Sequence, residues 1–160
     1  MDKIPVDIAT AERIRLGTED IAVLASSADT GGALFAVQTT MRPGGGPPVM
    51  HRHGPGEVYY VTEGEFTFYL GEGGEARRIV ARAGEVVPLA GDTPHTIRNE
   101  SQTDAVAFVV HAPGAPMEGF TRAVAALAAQ DAPAIEDVLA VAEAHGIELL
   151  GPIPSHAARV

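Results

Sequence analysis

Short apolar runs, broken by glycine, proline and aspartate, fill this 160-residue chain up to about residue 116. The runs are rich in Val, Ile, Phe, Tyr and Thr, which favour β-strands, and they lie close enough together to form hairpins. Many short strands with frequent turns are typical of antiparallel sandwiches and barrels. We therefore predict an all-β fold, a small antiparallel β-barrel or jelly roll. The predicted strands are IAVLAS (21–26), ALFAVQTTM (33–41), EVYYVTEG (57–64), EFTFYLG (65–71), ARRIVA (76–81), GEVVPLA (84–90), HTIRNES (95–101) and AVAFVVH (105–111).

Beyond residue 116 the composition becomes rich in alanine and glutamate, which indicates helices. Helices are predicted over 120–130 and 134–146, the second starting near Pro133 and ending at Gly146. We therefore divide the chain into a β-body over 1–116 and a C-terminal helical extension over 117–160 that packs on it. The predicted apolar face of the second helix consists of Ile135, Val138, Leu139 and Ala142.

The charge balance argues against several classes of partner. The chain carries 21 acidic and 11 basic residues and a formal net charge of −10. Such a surface repels nucleic-acid phosphates and anionic lipid headgroups, so we predict neither nucleic-acid nor membrane binding. The N-terminus lacks the pattern of a secretory signal, so a cytoplasmic location is expected. The absence of cysteine excludes disulfides and thiolate metal sites.

Three histidines and one glutamate carry the clearest chemical signal. His51 and His53 are one residue apart, so on an extended strand their side chains point to the same side. Glu57 follows a Gly-Pro-Gly turn, and His95 opens a later strand after another turn. Nitrogen and oxygen ligands of this kind suit one divalent transition metal per chain, such as Zn, Mn, Fe, Ni or Cu. We predict a metal site made of these four residues.

The same residues resemble a family motif, the first motif of the cupins, G-x5-H-x-H-x3,4-E-x6-G. It is matched at every interval by Gly45, His51, His53, Glu57 and Gly64. The resemblance implies a small β-barrel whose mouth holds a metal ion on the three histidines and the glutamate. Because four protein ligands leave coordination positions for water or substrate, the site is expected to be catalytic.

The second cupin motif, G-x5-P-x-G-x2-H-x3-N, is matched by Gly84, His95 and Asn99. The turn between them departs from the motif, because Ala90 stands where proline is expected and Asp92 where glycine is expected. With proline and glycine nearby at 88 and 91, we predict a turn redrawn by one residue. Asn99 is expected to fix this strand end rather than to contact a substrate.

Two further residues have open roles. Tyr59 shares the strand parity of Glu57, so it lines either the cavity or the ordinary core. His111 ends a strand and is either a partner of the ligands, a substrate contact, or a plain strand-end histidine. Glu57 is the predicted catalytic residue, because a carboxylate can loosen its hold on an ion and accept a proton from substrate.

Within the cupins, the ligand set and the C-terminal extension are similar to those of bacterial one-domain quercetin dioxygenase-like proteins. That resemblance implies a metal-dependent dioxygenase, an oxidoreductase acting on a small flavonol-like or enolisable substrate. A metal-dependent isomerase, cyclase or lyase could use the same residues, and a non-catalytic small-molecule-binding cupin is the third possibility. Cupins often pair through edge strands, so the resemblance also implies a homodimer.

Overall fold

The computed structural model describes residues 5–72, 74–130, 134–154 and 158–159. Twelve strands and two helices form in these residues. The strands are β1 (Arg13–Leu16), β2 (Glu19–Ala25), β3 (Phe35–Met41), β4 (Val49–His53), β5 (Gly56–Glu63), β6 (Glu65–Glu72), β7 (Glu75–Arg82), β8 (Val86–Leu89), β9 (His95–Arg98), β10 (Ala105–Ala112), β11 (Ile147–Pro152) and β12 (Ala158–Arg159). The helices are α1 (Ala115–Ala128) and α2 (Ile135–Ala144).

The strands form two six-stranded sheets. The front sheet has the order β1-β2-β3-β10-β5-β8, and the back sheet has the order β11-β4-β9-β6-β7-β12. All pairings are antiparallel except that of β12 with β7. The predicted all-β class with a jelly-roll arrangement is confirmed. The sheets are not closed into a barrel, because within the described residues the backbone ladders stop at the edge strands of each sheet.

The core lies between the two sheets, where inward residues alternate with outward ones along each strand. Phe66 and Phe68 of β6 are fully buried there, and Phe35, Val61 and Val109 face them from the front sheet. Burying an aromatic or branched side chain of this size contributes roughly 1.5–3 kcal/mol.

The C-terminal segment is only partly helical. Helix α1 starts five residues before the predicted position, because Pro116 fits the first helical turn, where its missing N–H costs nothing. After α2, the chain returns to the back sheet as β11, where Ile147 pairs with His53 of β4. The sequence analysis assigned no strand there. The short run IELL carries the alternation of a strand, and its partner lies about ninety residues earlier in the chain.

Helix α2 buries less than its periodicity predicts. Ala142 is 2% exposed, but Ile135 and Leu139 are 65% and 46% exposed. The predicted apolar face is therefore buried only at Ala142, although α2 contacts both α1 and β11. The predicted helix end at Gly146 is confirmed, because this residue adopts a left-handed φ of 71°. The predicted start at Pro133 lies outside the described residues. Among the described residues, no helix combines the length and apolar character needed to cross a membrane.

Asn99 ties two chain segments to the end of β9. Its side-chain Nδ2 donates to the carbonyl oxygens of Met41 (2.8 Å) and Thr103 (2.7 Å), and its Oδ1 accepts from the backbone N–H and hydroxyl of Ser101. The residue is fully buried. The structural role predicted from the sequence is therefore confirmed.

Replacing Asn99 with alanine is expected to lower the free energy of unfolding by about 2–3 kcal/mol, because it leaves buried backbone groups without partners. Urea denaturation measures the change. Ser101→Ala removes a more exposed partner of the same group and is expected to cost about 1 kcal/mol. A loss below 1 kcal/mol for Asn99→Ala would contradict the structural role.

Candidate metal centre

Strand pairing brings the sequence-predicted ligands together between the sheets. His51 pairs with His95 across β4 and β9 of the back sheet. Glu57 of β5 points toward them from the front sheet, where it is directly opposite His111 of β10. The ligating nitrogens of the three back-sheet histidines lie within 4.8 Å of one another, an arrangement that can hold a metal ion. We call these three residues, His51, His53 and His95, the histidine cluster.

Two histidines of the cluster have one nitrogen fixed by the backbone. His53 Nδ1 lies 3.0 Å from the carbonyl oxygen of Pro55, and His95 Nδ1 lies 2.7 Å from that of Thr93. A carbonyl oxygen only accepts hydrogen bonds, so each Nδ1 carries the proton and donates it. In a neutral ring the Nε2 atom therefore presents a lone pair. This is the tautomer in which metal-binding histidines are commonly held.

Both lone pairs face the same carboxylate oxygen. Glu57 Oε1 lies 2.8 Å from His53 Nε2 and 2.9 Å from His95 Nε2. None of these three buried atoms has a hydrogen-bond partner among the described residues. Two neutral nitrogens and a carboxylate oxygen at such separations repel one another unless a positive charge lies between them. The donor set and its unpaired atoms therefore fit a divalent cation.

The two oxygens of Glu57 have different surroundings. Oε1 faces the histidine cluster, whereas Oε2 lies 3.3 Å from His111 Nε2. His111 is 7% exposed and stacks on Phe35 with a ring-centroid distance of 6.0 Å. The sequence left the role of His111 open among three readings. The structure brings it into contact with Glu57, and its buried Nδ1 has no hydrogen-bond partner among the described residues.

Burial and neighbouring charges shift the pKa values in this centre. Burial opposes ionisation of Glu57, but the imidazoles of His111, His53 and His95 more than offset it and hold the pKa well below its usual value. Burial, with the nearby His95 and His53, lowers the pKa of His51 to about 4. Burial also lowers the pKa of His95, but the Glu57 carboxylate outweighs this and raises it overall. The site therefore pairs an ionised carboxylate with a neutral His51.

The loop before His95 corrects a sequence expectation. Asp92, at the position of the motif glycine, has a left-handed φ of 61°. Its backbone N–H donates to the His53 carbonyl oxygen at 2.8 Å. The predicted redrawing of the turn by one residue is therefore wrong. Aspartate tolerates the left-handed conformation better than most residues do, so the turn keeps its shape without glycine. Its bond to β4 helps to fix the position of His95.

An apolar cavity of about 180 Å³ opens on the histidine cluster. Tyr59 lines it beside Glu57, and its ring packs edge-on against Phe68 with a centroid distance of 5.3 Å. Burial raises the pKa of Tyr59 well above its usual value, and the Glu57 charge adds to the effect. Tyr59 therefore borders both the cavity and the core, the two positions that the sequence left open for it.

Several lining residues were not identified from the sequence. Helix α1 and strand β11 close one side of the cavity, and the N-terminal strands supply two polar side chains at its far end. Inward parity on β2 and β3 was the available signal for these two polar residues. Glu19 precedes the predicted start of β2 at residue 21, and Thr39 was not singled out on the predicted strand over 33–41. The missed residues are Glu19, Thr39, Met117, Phe120, Thr121, Ile147 and Leu149.

Comparison with known proteins agrees with the fold and with the motif. The sequence profile of the cupin domain matches residues 37–111, a stretch that contains the histidine cluster, Glu57 and His111. This stretch makes up just under half of the chain and is similar to cupin domains. It agrees with the cupin resemblance, and the likeness to quercetin dioxygenases stays a prediction. A comparison with curated protein sequences found no match.

Solved structures share this fold at low sequence identity. Oxalate decarboxylase from Bacillus subtilis matches 72% of the chain at 14% identity with a TM-score of 0.58, and the chain spans 31% of its length. A predicted oxalate decarboxylase from Thermotoga maritima matches 68% at 22% identity (TM-score 0.58), with 98% of its own length covered. The polyketide cyclase RemF from Streptomyces resistomycificus matches 69% at 17% identity (TM-score 0.59), with 80% of its length covered.

Proposed function

We propose that the chain is a metal-dependent enzyme in which Glu57 removes a proton from a small, mainly apolar substrate. His51, His53, His95 and Glu57 would hold one divalent transition metal. The observation that carries the proposal is the convergence of His53 Nε2 and His95 Nε2 on Glu57 Oε1, at 2.8 and 2.9 Å, in a buried set of donor atoms that suits a metal ion. When bound, such an ion polarises a substrate oxygen and makes a neighbouring proton more acidic.

The chain's own residues would accept the substrate proton, hold it and exclude water. Glu57 Oε2 faces away from the histidine cluster and is the oxygen suited to accept a proton from a hydroxyl or from a carbon next to a carbonyl. The electron pair of the broken bond stays on the substrate as an oxyanion or enolate. His111 Nε2, 3.3 Å from Oε2, can then hold that proton. The apolar walls of the cavity exclude water from the reacting end.

Proton-transfer chemistry of the isomerase, cyclase or lyase kind requires no oxidant. The structurally similar proteins include a polyketide cyclase and oxalate decarboxylases, which supports this choice among the possible reactions. A dioxygenase is the second candidate. A site of three nitrogens and one carboxylate oxygen also suits redox-active first-row metals, and a deprotonated, electron-rich substrate would then react with dioxygen.

Hydrogen exchange in D₂O tests the proposal and separates the candidates. The metal-reconstituted protein is incubated with small enolisable ketones and phenolic ketones, and NMR follows deuterium incorporation with and without oxygen. We expect metal-dependent exchange without oxygen for at least one of these compounds. Oxygen consumption without anaerobic exchange would favour the dioxygenase. Neither signal at full metal occupancy would contradict both enzymatic candidates and favour a non-catalytic binding protein.

A homodimer is the second part of the proposal. The outer face of the front sheet carries apolar side chains that are about half exposed: Val58 (42%), Tyr60 (44%), Val86 (55%) and Phe108 (38%). They are contiguous, since Tyr60 pairs with Val86 on one side and Phe108 on the other. The patch extends to the edge strand β8, and a twofold-related copy packed against this face would cover it.

Light scattering tests the dimer. The wild-type chain is expected to show twice its mass of 16.6 kDa. Tyr60→Glu places a charge at the centre of the patch and is expected to give the mass of a single chain. A wild-type mass of one chain at micromolar concentration would contradict the dimer.

A further inference from the structure

The cavity has a second polar end, far from the histidine cluster. Glu19 of β2 and Thr39 of β3 both line it. Strand parity explains why, since Glu19 shares the face of the buried Ile21. Asp20, the next residue, points outward instead and forms an ion pair with Arg13 at 2.7 Å. The chain therefore places one carboxyl in the cavity and the adjacent one on the surface.

Glu19 and Thr39 are diagonal neighbours on the front sheet. Glu19 pairs with Met41, and Thr39 precedes Met41 by two residues on the same face. Diagonal positions of this kind lie about 7–8 Å apart, within reach of a group placed between the two side chains. Thr39 is 5% exposed, and its hydroxyl has no hydrogen-bond partner among the described residues. An unpaired buried hydroxyl in a cavity wall is a position where a ligand gains affinity.

Distance separates this end from His111 and Glu57. His111 pairs with Phe35, and Thr39 follows Phe35 by four residues along β3, about 13 Å at the rise of a strand. The wall between them is apolar, with Val37 and Val109 on adjacent strands. A ligand that reaches both ends must be elongated, with an apolar body.

We infer that Glu19 and Thr39 form a second anchor, which binds a neutral hydroxyl group at the far end of an elongated, mainly apolar ligand. The hydroxyl would donate to the Glu19 carboxyl and accept from Thr39. That the other end of the same ligand reacts beside Glu57 rests on the proposed function. The anchor itself depends only on the two residues and the cavity.

The surroundings of Glu19 favour a neutral partner over a charged one. Burial raises the pKa of Glu19 to about 7, with no charged or hydrogen-bonding neighbour contributing. Apolar Leu16, Ile21 and Met41 line the cavity around it. Tyr59, which also lines the cavity, stays neutral because burial, and then the charges of Glu57 and Glu19, raise its pKa well above the usual value. Burial in such apolar surroundings costs an ionised group far more free energy than it costs a hydrogen-bonded hydroxyl group.

Three matched probes test the anchor: 3-phenylpropan-1-ol, propylbenzene and 3-phenylpropylamine. Their dissociation constants are measured by NMR titration on the full chain as purified, with its metal content recorded separately. The comparison variant is Glu19→Leu/Thr39→Val, and the control is Asp20→Asn on the outer face of the same strand. We expect the double variant to lose about tenfold in its affinity for the alcohol relative to propylbenzene, and the control to lose nothing.

Propylbenzene shows whether the variant cavity is intact, because its binding needs neither polar residue. If the double variant fails to bind it, Thr39→Val alone provides the comparison, with an expected relative loss of about threefold to fivefold. Unchanged relative affinities in the variant would overturn the anchor. Tighter binding of the amine than of the alcohol, lost in the variant, would overturn the neutral hydroxyl. A protein without metal that shows the expected losses would contradict the proposed function and leave the anchor standing.

Discussion

Replacing Glu57 with glutamine is expected to slow metal-dependent proton exchange of a substrate by a factor of about 10² to 10⁴. Glutamine keeps the size of the side chain, but its amide oxygen is a far weaker base than a carboxylate. Glu57 is 4% exposed, and imidazoles contact both of its oxygens. Bulk water therefore cannot reach this position and replace the carboxylate as the base. NMR exchange rates in D₂O at saturating metal measure the effect.

The control for this substitution is Glu63→Gln. Glu63 lies on the same strand but is exposed to solvent, so the same chemical change is expected to leave the exchange rate within a factor of about two. Metal content is measured for each variant, because Glu57 is also a proposed ligand. A Glu57→Gln protein that carries its metal and exchanges at nearly the wild-type rate would contradict the assignment of Glu57 as the base.

Metal binding is expected to stabilise the fold by about 4 kcal/mol when the free ion is present at a thousand times its dissociation constant. For a chain of this length that corresponds to a rise in Tm of roughly 10 °C. The reason is that the cluster brings lone pairs and a carboxylate oxygen into repulsive contact in the folded chain, whereas the unfolded chain has no preformed site. Thermal unfolding with added Zn²⁺ or Mn²⁺, and again after chelation, measures the shift.

The matched variant for this prediction is His51→Ala/His95→Ala. It removes two histidines from the cluster, so addition of either metal is expected to leave its Tm unchanged within about 2 °C. An equal rise in the variant would show that the ions act elsewhere on this acidic chain. No rise in the wild-type protein with any first-row divalent ion would contradict a metal centre.

The metal end of the cavity could be predicted from the sequence because its residues lie in local patterns. A spacing of two residues on a strand places His51 and His53 on one face, whatever the tertiary fold. The contact of His111 with Glu57 could not be predicted in this way. It depends on the pairing of β10 with β5 across about fifty residues, and periodicity does not specify which strands become neighbours.

The far end of the cavity could not be predicted for the same reason. Glu19 and Thr39 become neighbours only through the register of β2 with β3, where Glu19 pairs with Met41. The prediction of two C-terminal helices did not anticipate that the chain would return as β11 beside His53. The altered turn was misjudged because Asp92 adopts a backbone conformation in which glycine is usual. The backbone conformation of such a residue is set by tertiary contacts, here the hydrogen bond from the Asp92 N–H to the His53 carbonyl oxygen.

Metal content is the most direct test of the central claim. The protein is reconstituted with a mixture of first-row divalent ions, freed of unbound metal, and analysed for elements beside His51→Ala/His95→Ala. We expect about one transition metal per wild-type chain and less than about a tenth of that in the variant. Wild-type protein that retains no metal after reconstitution, or a variant that retains as much as the wild type, would contradict a metal centre on these histidines.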